Sequence, residues 1–260
     1  MTSLGDLMKK YIYILSSFVL FQFGHAAFAG IILFDDFDGD TTNLNGAAAD
    51  IGGNWVAEVN GDFQTNGVFD GGRGSATLAF TPVDGFIYTA ETWMTGITGT
   101  NRISFGFVDG QSSGTATSIR FQQNGDPVGR AWMDYIGSGD PIDNFAYNDL
   151  TGSAAWTDAT LRDQSGGDIG MRIVLDTTAG TGNWTATWYA KSTVGTSFTE
   201  VRATETLLDE TITSVGYSLY NNTIDGTIES FSVTAVIPEP SSIVLLLVSL
   251  AGGLLIFRRR

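Results

Sequence analysis

The run Asp35-Asp36-Phe37-Asp38-Gly39-Asp40 places four carboxylates close together in the chain. Alternate carboxylates in a loop, here Asp36, Asp38 and Asp40, can converge on Ca2+, a hard cation that takes about six to eight oxygen ligands. The spacing is not that of an EF-hand loop, because counting from Asp36 the glycine falls at Gly39, position four rather than six, and position twelve is Ala47. The same residues suit an acidic Asx turn leaving an edge strand, the simpler reading, and the metal reading stays open beside it. A second carboxylate group is Glu205, Asp209 and Glu210 in ETLLDE. Glycoside hydrolysis needs two carboxylates about 5–10 Å apart in a cleft. The leucines inside ETLLDE point instead to a turn carrying a buried apolar pair.

Tryptophan supplies the other chemistry. The chain has six, Trp55, Trp93, Trp132, Trp156, Trp184 and Trp188. Flat aromatic side chains offer an apolar platform with a polar handle, which suits sugar rings as well as a core. Trp184 and Trp188 are four residues apart and so share one face of a strand. They fit either a sugar platform or the space between two sheets. Trp156, in the loop-like stretch Ala154-Ala155-Trp156-Thr157-Asp158, is the stronger candidate for ligand contact.

The two ends carry signals rather than fold. Residues 1–29 read as a secretory leader, with Lys9 and Lys10 ahead of an apolar run over 11–23. Ala27-Phe28-Ala29 forms a cleavage box that leaves Gly30 as the new N-terminus. An uncleaved membrane anchor is the alternative. At the other end, Pro238-Glu239-Pro240 precedes an apolar run over 243–257 and then Arg258, Arg259 and Arg260. A helix over 241–257 would rise about 25 Å, slightly less than the roughly 30 Å hydrocarbon core. The prolines impose a non-helical entry, and the arginines hold the far end in the cytoplasm.

This order of Pro-Glu-Pro box, apolar helix and arginine cluster over 237–260 resembles the PEP-CTERM sorting signal of Gram-negative bacteria. The resemblance implies export by the Sec machinery, a stage in the inner membrane, and processing by an exosortase near Pro238, Glu239 and Pro240. The destination it implies is the cell surface or the extracellular polymer. A plain single-span tail anchor is the alternative.

Between the ends lies a domain over 30–236 whose chemistry is narrow. The chain holds 13 Lys+Arg and 28 Asp+Glu; setting aside Lys9, Lys10, Asp6, Glu239 and the three terminal arginines leaves 8 and 26, a net of −18. The domain has no Cys, no His and one lysine, Lys191. Ser-His-Asp triads, cysteine nucleophiles and His- or Cys-ligated zinc are therefore excluded. The acidic balance argues against nucleic acid as a partner.

Short stretches with period-two alternation recur between Gly, Asp and Asn clusters, and predict strands near 31–35, 54–59, 76–81, 86–94, 102–108 and 117–122. More are expected near 130–135, 170–176, 183–190, 197–203, 212–220 and 226–235. Turn signals stand at Asp109-Gly110, Asn124-Gly125, 178–182 and Asp225-Gly226. With no capped helical stripe between them, these strands predict an all-β domain of two antiparallel sheets packed face to face.

Phe34-Asp35-Asp36-Phe37, Leu44-Asn45-Gly46, Gly53-Asn54-Trp55 and the closing Gly226-Thr227-Ile228-Glu229-Ser230-Phe231 are similar to concanavalin A-like, laminin-G-type jelly rolls. In that family a G-x-I-D-x-F pattern ends the domain, and Glu229 stands here in place of its Asp. The resemblance implies that first and last strands pair, and that 171–176 and 183–189 form adjacent long strands. The laminarinase-type enzymes of that fold carry E-x-D-x-x-E, and no Glu here is followed two residues later by Asp. The expected protein is thus a non-catalytic surface or matrix component that interacts with extracellular polysaccharide, with Ca2+ as its candidate cofactor. A passive structural role, or a glycosidase with an unusual carboxylate pair, are the other readings.

Overall fold

Alternation at period two is the dominant local signal, and most stretches that carry it form strands. The computed structural model describes residues 29–57, 63–72, 74–110, 121, 128–137, 144–149, 152–193, 197–220 and 223–238. In chain order these include β1 (Ala29–Asp35), β2 (Val56–Ala57), β3 (Val68–Asp70), β4 (Gly74–Ala79), β5 (Ile87–Gly99), β6 (Arg102–Val108) and β7 (Gly129–Ile136). Then come β8 (Phe145–Asn148), β9 (Gly152–Ala155), a single helical turn α1 (Ala159–Arg162) and β10 (Gly167–Asp176). The order closes with β11 (Thr185–Lys191), β12 (Thr199–Thr206), β13 (Ser214–Tyr220) and β14 (Ile224–Val236). Asp158 caps α1 by accepting from the N–H groups of Thr160 and Leu161.

The strands make two seven-stranded sheets. The first runs β1-β14-β5-β10-β11-β12, with β3 also on β14; the second runs β2-β4-β13-β6-β7-β8-β9. The pairs β5–β10, β10–β11 and β11–β12 are antiparallel. So are the pairs of the second sheet. β5 and β14 also run in opposite directions, since the Thr92 hydroxyl donates to the Ser230 carbonyl while the Thr100 N–H reaches that of Thr223. First and last strands are neighbours, and β10 and β11 pair along seven positions.

Side chains from the two inner faces fill one core. Ala90, Met94, Met171, Ile173, Leu175 and Trp188 meet Leu78, Ile103, Phe105, Met133, Tyr135 and Val215 there. Each such large side chain contributes about 1.5–3 kcal/mol on burial, so this layer carries the stability of the unit Gly30–Ala235. A polar link crosses it where the Thr92 hydroxyl lies 2.7 Å from that of Tyr217. Burial pushes the Tyr217 phenol far above its ordinary value.

Strands β6 and β7 are buried on both faces. On the side away from the main core, Val108, Phe121, Trp132 and Tyr147 make a second cluster. The Trp132 and Tyr147 rings are parallel, with centroids 3.7 Å apart. Beside them the fully buried Asp134 accepts from Ser104 Oγ at 2.5 Å, Tyr147 OH at 3.1 Å and Arg102 at 3.4 Å.

Several local expectations need correction. Asp225-Gly226 is no turn but part of β14, where Gly226 lies opposite Phe69. A Cβ there would fall 2.6 Å from the Phe69 ring, so close packing explains the glycine. β3, β8, β9 and α1 were not expected; each is four residues or fewer. Apart from Phe121, the strand near 117–122 and the turn at Asn124-Gly125 lie outside the described residues. Ala27, Glu239, Pro240, Arg258, Arg259 and Arg260 also lie outside them. Among the described residues no helix is long and apolar enough to cross a membrane.

Candidate functional site

Three connections meet at one end of the sandwich, over residues 80–86, 177–184 and 207–213. The chain turns at Asp84-Gly85 and again between Thr177 and Asn183. Thr177 ties two of these turns together, since its hydroxyl donates to the carbonyls of Val83 and Phe86. The Leu207 N–H donates to the Trp184 carbonyl and fixes the third. Between them opens a cleft of about 440 Å³ lined by Pro82, Val83, Asp84, Thr181, Trp184, Glu210 and Thr211. That volume falls within the roughly 300–1,000 Å³ typical of small-molecule sites.

Each polar group in the cleft is held in place. The Trp184 indole N–H donates to Asp84 Oδ1 at 2.6 Å, and the Thr181 hydroxyl donates to Oδ2 at 2.9 Å. These two bonds, the indole's first, hold the Asp84 carboxyl below its ordinary range, so it is an acceptor at neutral pH. Glu210 accepts the backbone N–H of Trp184 at 2.6 Å and that of Gly182 at 2.5 Å. A carboxylate offers about four acceptor positions, so both keep capacity for hydroxyl donors. The cleft thus combines an indole, two fixed carboxylates and two threonines. Such a set accepts hydroxyl hydrogens beside an apolar surface.

ETLLDE does not form one site. Glu205 pairs with Arg202 at 2.6 Å, Asp209 with Arg130 at 3.2 Å, and Glu210 alone turns to the cleft. The leucines between them divide as well, Leu207 buried and Leu208 at 61% exposure. Arg130 also faces Asp109 at 3.2 Å and Asp149 at 3.9 Å, so one buried guanidinium clamps three loops.

The acidic run after β1 is also rearranged. The grouped carboxylates are Asp35, Asp36 and Asp50, with ligand oxygens within 4.8 Å of one another. Asp38 and Asp40 are not in that group; the Asp38 N–H instead closes an Asx turn on Asp36 Oδ1 at 3.3 Å. Asp50 is delivered by the bridge between Phe34 and Ile51, and its Oδ2 accepts the Asp36 N–H at 3.1 Å. Asp35 accepts the Phe37 N–H at 2.8 Å and the Trp55 indole N–H at 2.5 Å. Desolvation nevertheless raises its carboxyl above the ordinary value. Three carboxylates give hard oxygen donors of the kind Ca2+ takes, and Asp36 Oδ2 and Asp50 Oδ1 accept none of the bonds just described.

The tryptophans separate sharply. Trp156, the stronger candidate from sequence, is fully buried and packs on Tyr135 with ring centroids 6.4 Å apart. Its backbone N–H, right after β9, donates to the Asn144 carbonyl at 2.9 Å, and the side chain lies in the main core. Trp188 is also fully buried, with the Arg202 guanidinium 4.8 Å above its ring. Both are core rather than ligand contacts. Trp184 keeps 7% exposure and lines the cleft. Sequence reasoning missed Asp84 and Thr181; the only local signals were the Asp-Gly turn and the threonine-glycine stretch before Trp184. Of the cleavage-box residues, Ala29 is exposed and Gly30 half-buried at the start of β1. Pro238 is half-buried two residues after β14.

No family model matches the chain, and no curated protein matches it. Among solved structures, similarity is found to arcelin-5, a lectin-like defense protein from Phaseolus vulgaris, at 10% identity. That match covers 82% of this chain and 100% of the other with a TM-score of 0.48. The lectin from Bauhinia forficata in complex with GalNAc matches at 14% identity over 81% of this chain and 98% of that one, TM-score 0.44. The metal-free carbohydrate recognition domain of Emp46p matches at 14% identity over 69% and 87%, TM-score 0.44.

Proposed function

We propose that this chain is an exported cell-surface or matrix protein whose concanavalin A-like jelly roll binds extracellular polysaccharide without catalysis. The Trp184 cleft carries the reading. Its fixed acceptors, Asp84 and Glu210, suit the hydroxyls of a sugar, and its indole and Val83 suit the apolar ring face. Hydrolysis would need one carboxyl held protonated as general acid. Asp84 is shifted in the opposite direction. Export and sorting rest on the cleavage box at Ala27, Ala29 and Gly30, on Pro238-Glu239-Pro240, and on Arg258, Arg259 and Arg260. Sec machinery and an exosortase are the partners these motifs imply. Calcium is the cation for which Asp35, Asp36 and Asp50 supply donors, and it would tie the end of β1 to the loop carrying Asp50.

A glycan array probed with the native protein and with Thr181→Val and Asp84→Asn tests the cleft. Binding to neutral oligosaccharides that both variants weaken supports it. Release of reducing ends from a bound polysaccharide would replace binding with hydrolysis. Absence of any glycan binding leaves the passive structural role.

A further inference from the structure

The outer face of the first sheet carries an aromatic and basic patch remote from the cleft. Two rows of outward residues cross it. In one, Trp93, Gly170 and Lys191 are register partners across β5, β10 and β11. In the next, Glu91, Arg172, Tyr189 and Glu200 follow in the same way across β5 to β12. Lys191 Nζ lies 5.3 Å from the Trp93 ring and 4.5 Å from that of Phe198. Gly170 makes this possible, since a Cβ there would fall 2.7 Å from the Lys191 stem and 3.1 Å from the Trp93 ring. The Arg172 guanidinium carbon lies over the Phe198 ring, 3.8 Å from its centroid, and is neutralised by Glu91 at 2.7 Å.

Charge makes this patch unusual. Among the described residues the five arginines each face a carboxylate. Lys191, the only lysine of an acidic domain, is the one described cation with no carboxylate partner. An ammonium held between two half-exposed rings gains cation–π attraction yet keeps its N–H donors free for an anion. Trp93, Tyr189 and Phe198 are half-buried, so part of each ring reaches solvent. Glu200, exposed and opposite Tyr189, adds negative charge at the edge of the patch, which repels a doubly charged group such as phosphate more than a single carboxylate.

We propose that this face is a second glycan site, specific for sugars bearing one carboxylate, in which the sugar ring stacks against Trp93 and its carboxylate meets Lys191, held in place by Phe198. The inference rests on the polysaccharide-binding reading above and gives it a ligand class. It makes the protein bivalent, taking neutral sugar at the loop end and acidic sugar on the sheet.

The test titrates the full chain with a galacturonate tetramer and with maltotetraose, for the native protein, Lys191→Gln, Lys191→Arg and Phe198→Ala. Loss of one charge-assisted contact weakens binding about tenfold or more. Lys191→Gln should therefore lose about that much affinity for the galacturonate tetramer, Lys191→Arg should retain it, and maltotetraose binding should be unchanged in both. Phe198→Ala should also weaken only the acidic ligand. Galacturonate binding that survives Lys191→Gln, or its absence beside intact maltotetraose binding, overturns the inference and leaves the cleft reading standing. Failure of both sugars to bind overturns both. Sedimentation of the same samples tests a second copy as occupant; self-association abolished by Lys191→Gln, without galacturonate binding, assigns the face to that copy and overturns the sugar.

Discussion

Arg130 is the residue whose loss should reveal how the cleft is held. Its side chain is 8% exposed and faces Asp109, Asp149 and Asp209, which are 36%, 23% and 41% exposed. Arg130→Met keeps the apolar stem but leaves three carboxylates facing one another. Removing one partner of a buried ion pair costs about 3–5 kcal/mol. Here the aspartates are partly solvated, which screens their repulsion, so about 2–3 kcal/mol is expected. For a domain of this size that lowers Tm by about 5–10 °C.

The deficit should also depend on pH. Desolvation pushes the Asp209 carboxyl up, but the Thr211 N–H and hydroxyl and the Arg130 charge together bring it below its ordinary value. A lowered folded value means stability that is present above the unfolded pKa and lost as pH falls through the folded one. Only the Arg130 part of that lowering differs between native and variant, so urea unfolding near pH 7 and near pH 4 should show the gap shrinking modestly at the lower pH. Because the clamp holds the loop carrying Glu210 and Thr211, the variant should bind neutral oligosaccharide more weakly as well. A gap below about 0.5 kcal/mol at pH 7 would show that Arg130 is not the clamp.

Asp35 should respond in the opposite sense. Its folded value is raised, so it contributes stability below the unfolded value that is lost as pH rises through the folded one. The stability of Asp35→Asn relative to native should therefore improve from acid toward neutral pH in the presence of chelator; a flat difference contradicts this. Calcium at a hundredfold excess over its Kd should raise unfolding stability by about 2.7 kcal/mol. Asp36→Asn and Asp50→Asn should lose that gain while Asp40→Asn keeps it, and equal melting with calcium and with chelator excludes the metal. Replacing Pro238, Glu239 and Pro240 with alanines should leave full-length protein in the inner membrane, as judged by fractionation. Surface delivery of a shortened variant would reduce the segment to an anchor.

Where local and nonlocal forces agree, the fold was legible. β6 falls at Arg102–Val108, where Ile103, Phe105 and Phe107 alternate cleanly, and 170–176 and 183–190 mark β10 and β11. β8 and β9 were missed because four-residue strands such as Phe145–Asn148 carry too little pattern, and their place is set by pairing with β7. Trp156 was misjudged because its surroundings look like a loop, whereas its ring packs in the main core on Tyr135, which is distant in sequence. Asp50 could not be joined to Asp35 and Asp36 without the Phe34–Ile51 bridge. The shared face of Trp184 and Trp188 followed from period two. Their different exposure follows from position, since Trp188 is mid-strand under Arg202 while Trp184 stands before β11 at the turn.

The indole N–H resonances of the native protein, titrated with a neutral oligosaccharide that it binds, give the sharpest reading of the cleft. Trp184, whose N–H is bonded to Asp84 at the rim, should shift progressively and saturate with the binding curve. Trp156 and Trp188, sealed in the core, should stay in place. Movement of Trp156 or Trp188 with Trp184 unchanged, or no indole shift at saturation, would contradict a Trp184-centred sugar site.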